Sequence, residues 1–289
     1  MIDYHADDYG MSVRQARKIL ELCRSHDKNA PLTSVSIVIN SPAFFDSAQL
    51  IKPLVMDGYI NIVPHINLVE GKPCCEVQDI PLLVNNRGTF ANDFVSLWRL
   101  SKGKLAEQFA KQVYAEINAQ LIEFLKQFPE QRKELRLDSH QHTHCLPAVF
   151  KVLMNVAKNN KCIVRQVRVP VEPTTFNALV SSVTNPANIS KNILLSHLSK
   201  QDVAYIPKGC KVNAFVGIYN SGQMHKTKLK QLEKLNAKYE ALGQDLEVLF
   251  HPVRMRKKEC LDSQNVPFVK TCCSESRSLE QRWLADLVN

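Results

Sequence analysis

Residues 135–144, LRLDSHQHTH, begin like a β-strand and end with three histidines at alternate positions. In an extended chain successive side chains face opposite sides, so Asp138, His140, His142 and His144 share one face at steps of ~7 Å. A single imidazole in a strand is usually no more than a hydrogen-bonded residue. One carboxylate and three imidazoles in register, behind the apolar Leu135 and Leu137, point instead to a metal or acid/base site. The segment therefore predicts a strand whose carboxyl end carries chemistry.

The surrounding chain repeats a short apolar run followed by a helical pattern. TSVSIVIN (33–40), YINIVPHINL (59–68), CIVRQVRV (162–169), KVNAFVGIY (211–219) and LEVLFHP (246–252) read as further strands. Ser12 can cap a helix running to about His26, and a second helix follows from about Pro42 to Met56. Over 104–128, Leu105, Phe109, Val113, Ile117, Leu121, Phe124 and Phe128 recur at helical spacing, and Pro129 ends the run. Pro147 opens another helix, residues 226–242 form one that closes at Gly243, and Ser278 with Gln281 resembles a capping box. The polar stretch 173–202 lacks clear periodicity and reads as an irregular insertion. With only Met1 to Tyr4 ahead of HADD, the first strand is expected to be frayed. Strand and helix alternating through 289 residues imply one α/β domain with a parallel sheet, open or closed into a barrel.

In such sheets ligands bind at the carboxyl ends of the strands. His65 in IVPHINL, His251 in VLFHP and the Asp7-Asp8 pair in IDYHADDYG occupy those ends, as do His140 to His144. Neighbouring acids suit a division of labour, one binding a cation and the other acting as a base; a cation there would also relieve their mutual repulsion. One carboxylate with two imidazoles leaves coordination positions open for water and a substrate oxygen, the arrangement of a hydrolase. A free carboxylate can then take a proton from water while a histidine across the site protonates the leaving group. His26, His197 and His225 have no such companions and read as ordinary surface or core residues.

Composition narrows the alternatives. Nine cysteines form no CxxC pair, which argues against a disulfide framework or zinc ribbon and for reduced thiols in a cytoplasmic setting. No secretory signal or membrane-spanning run is expected from the start MIDYHADD. The net charge of +9 raises the question of nucleic acid, but the basic residues lie on helical faces, apart from RMRKK (254–258). Aromatics are 7% of the chain and are not interleaved with Arg and Lys, so nucleic acid is not the expected partner.

HADDYG, HINLVEGKP, DSHQHTH and the late FHP, in that order, resemble the motifs of the YdjC-like carbohydrate deacetylases: N-A-D-D-[FY]-G, H-L-x-L-T-x-G-x-P, D-S-H-x-H-x-H and H-P. The resemblance runs from residue 3 to about 288. It implies a TIM-like (β/α) barrel, with fewer than eight regular strands allowed, that removes the acetyl group from N-acetylated sugars such as chitooligosaccharides with a divalent metal. Magnesium is the metal the resemblance favours, zinc the alternative, and a homodimer is a further expectation. By the same resemblance Asp8, His65 and His140 are metal ligands, Asp7 the base and His251 the acid. His142, His144, Arg168 and Glu172 then stand behind the ligands or touch the sugar. The chain departs from the pattern at His5 for Asn, Val63-Pro64 before His65, and Val69 for Thr; none removes a proposed ligand. Two other readings stay open: an amidohydrolase- or phosphoesterase-type site built on a His140-x-His142 pair, and an inactive sugar-binding barrel.

Overall fold

The computed structural model describes residues 1–173 and 185–287. Its strands are β1 (Ile2–Tyr9), β2 (Leu32–Val38), β3 (Asn61–Ile66), β4 (Leu135–Ser139), β5 (Val164–Val167), β6 (Ala214–Val216) and β7 (Leu246–Phe250). They form one sheet in the order β5-β4-β3-β2-β1-β7-β6, and every pairing is parallel. Helices fill the crossovers, as parallel pairing requires. They are Val13–Leu20, Phe44–Met56, Phe94–Leu100 with Ala106–Gln127, Pro147–Asn159, Pro186–Asp202 and Leu229–Glu240, with Val266–Cys272 and Glu275–Asp286 after β7. None is long and apolar enough to cross a membrane.

The expected barrel is only partly realised. The sheet curls, but among the described residues it has seven strands, and β5 and β6 do not pair as strands. One isolated parallel bridge, Gln166 with Lys211, links β5 to the residues just ahead of β6. Val167 N donates to Lys211 O at 3.1 Å and Lys211 N to Arg165 O at 2.8 Å. With four residues in β5 and three in β6, the ladder stops there. The result is a half-barrel rather than a closed TIM barrel.

Most of the apolar stripe expected over 104–128 is buried, but Leu105, which stands ahead of the helix as its cap, is 44% exposed. Phe109, Val113, Ile117, Leu121 and Phe124 are all fully buried in the main core. Other local readings are corrected. The first strand is not frayed: β1 spans eight residues and is flanked by β2 and β7, so the HADD residues themselves build it. The terminal helix is capped by Ser274, whose Oγ accepts from Ser276 N at 3.2 Å, four residues before the expected Ser278. Of the stretch 173–202, residues 174–184 lie outside the described residues. Residues 186–202 form a regular crossover helix that begins with Asn185 as cap and Pro186 in the first turn.

The opening decapeptide is also corrected. β4 ends at Ser139, and His140–Cys145 coil into tight turns, with Gln141 and His142 at φ +53° and +58°. The strict alternation of faces ends where the histidines begin, and the three imidazoles diverge.

Candidate active site

A bulge places the two adjacent acids. Between Ala6 opposite Val35 and Tyr9 opposite Ile37, β1 carries one more residue than β2, and Asp8 adopts φ +66°. In a regular strand Asp7 and Asp8 would face opposite sides; here both border one cavity at the carboxyl ends of the strands. That cavity, about 1420 Å³, also exposes His65, His140, His142 and His251 on its wall.

His65 ends β3 opposite Asp138 of β4. Its Nδ1 lies 2.7 Å from Asp138 Oδ1, which leaves Nε2 facing the site. A carboxylate behind an imidazole in this way fixes the ring and makes the free nitrogen a better ligand. His140 follows β4; its Nδ1 lies 3.0 Å from Asp8 Oδ1, and its ring stands edge-on to Phe268. Arg277 Nη2 donates to Asp8 Oδ2 at 2.7 Å. His65 Nε2 and His140 Nε2 are buried without a hydrogen-bond partner, and Asp8 Oδ1 has only its ion-pair contacts with the two imidazoles. One potential ligand atom from each of these three residues falls within 4.8 Å of the others. His65 Nε2 lies 3.7 Å and His140 Nδ1 3.0 Å from Asp8 Oδ1, and one carboxylate with two imidazoles gathered in this way fits a divalent cation.

A second triple, His5, Asp7 and Asp138, is equally compact. A cation already serves it, because Arg168 is buried against both carboxylates. Arg168 Nη1 and Nη2 each lie 3.0 Å from an Asp7 oxygen, Nη2 lies 2.9 Å from Asp138 Oδ2, and Nε lies 2.5 Å from Glu247 Oε1. His5 spans the interior, with Nε2 2.6 Å from Ser36 Oγ and Nδ1 2.7 Å from Ser34 Oγ.

The electrostatics follow from this packing. Burial alone would raise the Asp7 carboxyl, but Arg168, then His65 and His5, hold it well below the usual range. Burial is likewise outweighed at Asp8 by His140 and Arg277, which keep it ionised. At His65, burial opposes protonation, yet Asp138 and Asp7 lift the imidazole to about 9. His251 behaves oppositely: burial pushes it down to about 4, so its resting form is neutral. Its backbone N donates to Glu280 Oε2 at 2.8 Å.

The remaining candidates separate. His142 borders the cavity with Nδ1 unpartnered, and burial with Lys191 and Arg168 holds it well below the usual histidine range. Among the described residues it joins neither compact ligand group, which counts against a His140-x-His142 pair. His144 turns away: Nδ1 lies 2.6 Å from Ser139 Oγ and Nε2 2.9 Å from Arg168 O, so it braces Arg168 just after β5. Arg168 stands behind Asp7 and is not at the rim. Glu172 is tied to the end of β6, its Oε2 accepting from Gly217, Ile218 and Tyr219 N at 3.2, 2.8 and 2.9 Å.

Sequence reasoning missed Arg277, Glu280, Glu247 and Glu70. Arg277 and Glu280 look like the solvated face of a polar terminal helix, ESRSLEQRW, and nothing local marks them as buried beneath Asp8 and His251.

A curled parallel α/β sheet with a buried Asp-His-His cluster at its carboxyl edge presents a candidate cation site beside an open cavity. The chain belongs to the YdjC-like family, whose model, described as "YdjC-like protein", matches residues 4–287. It is also similar to a solved structure from Enterococcus faecalis V583 described as a "putative cellobiose-phosphate cleavage protein". The two share 16% identity, with 99% of this chain and 94% of the other covered at a TM-score of 0.57. At that identity the likeness is one of fold.

Proposed function

We propose that this protein is a metal-dependent hydrolase that removes the acetyl group from an N-acetylated sugar. The observation that carries the reading is the gathering of buried Asp8, His65 and His140, one ligand atom of each within 4.8 Å of the others, at the cavity wall beside Asp7. Family membership supplies the carbohydrate. A divalent cation held there, magnesium or zinc, would polarise the amide carbonyl and lower the cost of the developing oxyanion.

The chain's own groups supply the rest. Asp138 fixes the ring of His65, and Arg277 occupies Asp8 Oδ2 so that Oδ1 faces the site. Asp7, oriented by Arg168, takes the proton of the attacking water. The proton that Asp7 takes from water is the one the departing nitrogen needs, and His251, neutral at rest, relays it across the site as a transient imidazolium. A second assignment makes His251 itself the base, taking the proton of the water and returning it to the departing nitrogen, and one contrast favours it: Asp7 is ionised and clamped by a guanidinium, whereas His251 is neutral and the stronger proton acceptor.

The experiment is acetate release from N-acetylglucosamine and N,N′-diacetylchitobiose before chelation, after it, and after return of magnesium or zinc. Release that stops on chelation and resumes with metal supports the proposal. Cellobiose phosphate is the contrasting substrate, suggested by the description of the Enterococcus protein. Its cleavage without any acetate release from the acetylated sugars would replace deacetylation with a different hydrolysis.

A further inference from the structure

The loop after β3 presents a carboxylate that the hydrolytic steps do not use. Glu70 is 2% exposed and borders the cavity. Its backbone is fixed by Asn67, whose Oδ1 accepts from Val69 N and Glu70 N at 3.0 Å each. The amides of Asn67 and Asn40 both donate to Glu70 O at 2.9 Å. Gly71, next in the chain, has φ +79°, and a Cβ there would stand 3.1 Å from Leu261 Cβ, so the loop is pressed against the segment after β7.

The side chain is held by one oxygen only. Glu70 Oε1 accepts from Asn265 Nδ2 at 2.9 Å, with Gln141 Nε2 at 3.5 Å. Glu70 Oε2 is buried with no hydrogen-bond partner. Leaving such an atom unpaired is costly, a penalty a fold tolerates where a ligand completes the bond. Burial and the neighbouring Asp262 push this carboxyl up to about 8, so near neutral pH it can both donate and accept. A hydroxyl offers the matching pair of functions. The position is also apt, because Gln141 follows His140, and Asn265 caps the helix whose Phe268 contacts the His140 ring.

We propose that Glu70, braced by Asn265, is a sugar-binding subsite whose Oε2 hydrogen-bonds a ring hydroxyl of the pyranose presented to Asp8, His65 and His140. The inference deepens the deacetylase reading and rests on it for the identity of the reacting amide, but sugar binding tests it separately. Binding of N,N′-diacetylchitobiose and of cellobiose to the full chain is measured by calorimetry without added metal, for the parent, Glu70→Ala and Glu70→Gln. A parallel titration uses zinc alone.

Glu70→Ala is expected to weaken both sugars at least tenfold. Glu70→Gln, which keeps a donor and an acceptor, should recover most of that loss, while zinc affinity stays at the parent value. Sugar affinity equal in Glu70→Ala and the parent, no sugar binding by the parent, or an equal loss of zinc affinity would each overturn the subsite. A parent that binds sugar in a Glu70-dependent way yet releases no acetate retains the subsite and removes the deacetylase reading. Acetate release with the KM unchanged in Glu70→Ala removes the subsite alone.

Discussion

Arg168 clasps Asp7 with both terminal nitrogens, each 3.0 Å from a different carboxylate oxygen, although the two residues lie 161 positions apart in sequence. The same guanidinium reaches Asp138 and Glu247, so one buried cation is shared among three buried acids.

Removing that cation should cost far more than losing a surface pair. Arg168→Ala takes the shared guanidinium from Asp7, Asp138 and Glu247 and leaves only the imidazoles of His5 and His65 beside the two aspartates, a situation that typically costs about 3 kcal/mol or more. Urea unfolding at pH 7 checks this. Parent-like stability would mean that the three acids do not depend on Arg168.

Asp7 and His140 should fail differently. Asp7→Asn keeps the shape of the side chain and leaves Asp8, His65 and His140 in place; it is expected to bind zinc with near-parent affinity while acetate release falls by at least a hundredfold. His140→Ala removes one of three ligand donors and should lose both properties. Calorimetric zinc titrations beside acetate assays separate the cases. Undiminished turnover in Asp7→Asn would pass the base role to His251.

The environment of His144 predicts acid sensitivity with a definite sign. Its pKa is about 4 in the fold against an ordinary 6.5, so the unfolded chain binds the proton first as pH falls. This contribution is whole above pH 6.5 and is lost on the way down to about 4; the difference of 2.5 units corresponds to about 3 kcal/mol. Burial raises Glu172 and Glu280 to about 7 and gives them the opposite sign, with their contribution whole below 4.5 and lost as pH rises through 7. The informative quantity is therefore the stability of the parent minus that of His144→Gln, followed from pH 7.5 to 4. That difference should shrink toward acid; a constant difference would contradict the assignment.

Gly217 sits at the cavity with φ +150°, and a Cβ there would stand 2.7 Å from Leu249 Cβ. Gly217→Ala should therefore displace β7 or the Glu172-bound loop and cost about 1–3 kcal/mol. A thermal midpoint equal to the parent's would show that this approach is looser than described.

Much of the architecture can be read from local pattern, because apolar stripes such as Phe109 to Phe124 bury themselves wherever the helix docks. The carboxyl-edge location of Asp7, Asp8, His65 and His140 is legible for the same reason: parallel topology sends every strand end to one side. The extended reading of His140 to His144 fails because Gln141 and His142 take left-handed conformations, which are uncommon outside glycine and which no residue type there announces. The burial of Arg277 and Arg168 is equally silent in the sequence. Each is neutralised by an acid far along the chain, and local composition reports charge but not partners.

The most direct measurement is anomalous diffraction from crystals of the full chain equilibrated with manganese or zinc. A single peak within bonding distance of Asp8, His65 and His140, with Asp7 free of the ion, is the predicted result. No peak at that cluster, or one coordinated instead by His142 or by His5, Asp7 and Asp138, would contradict the account.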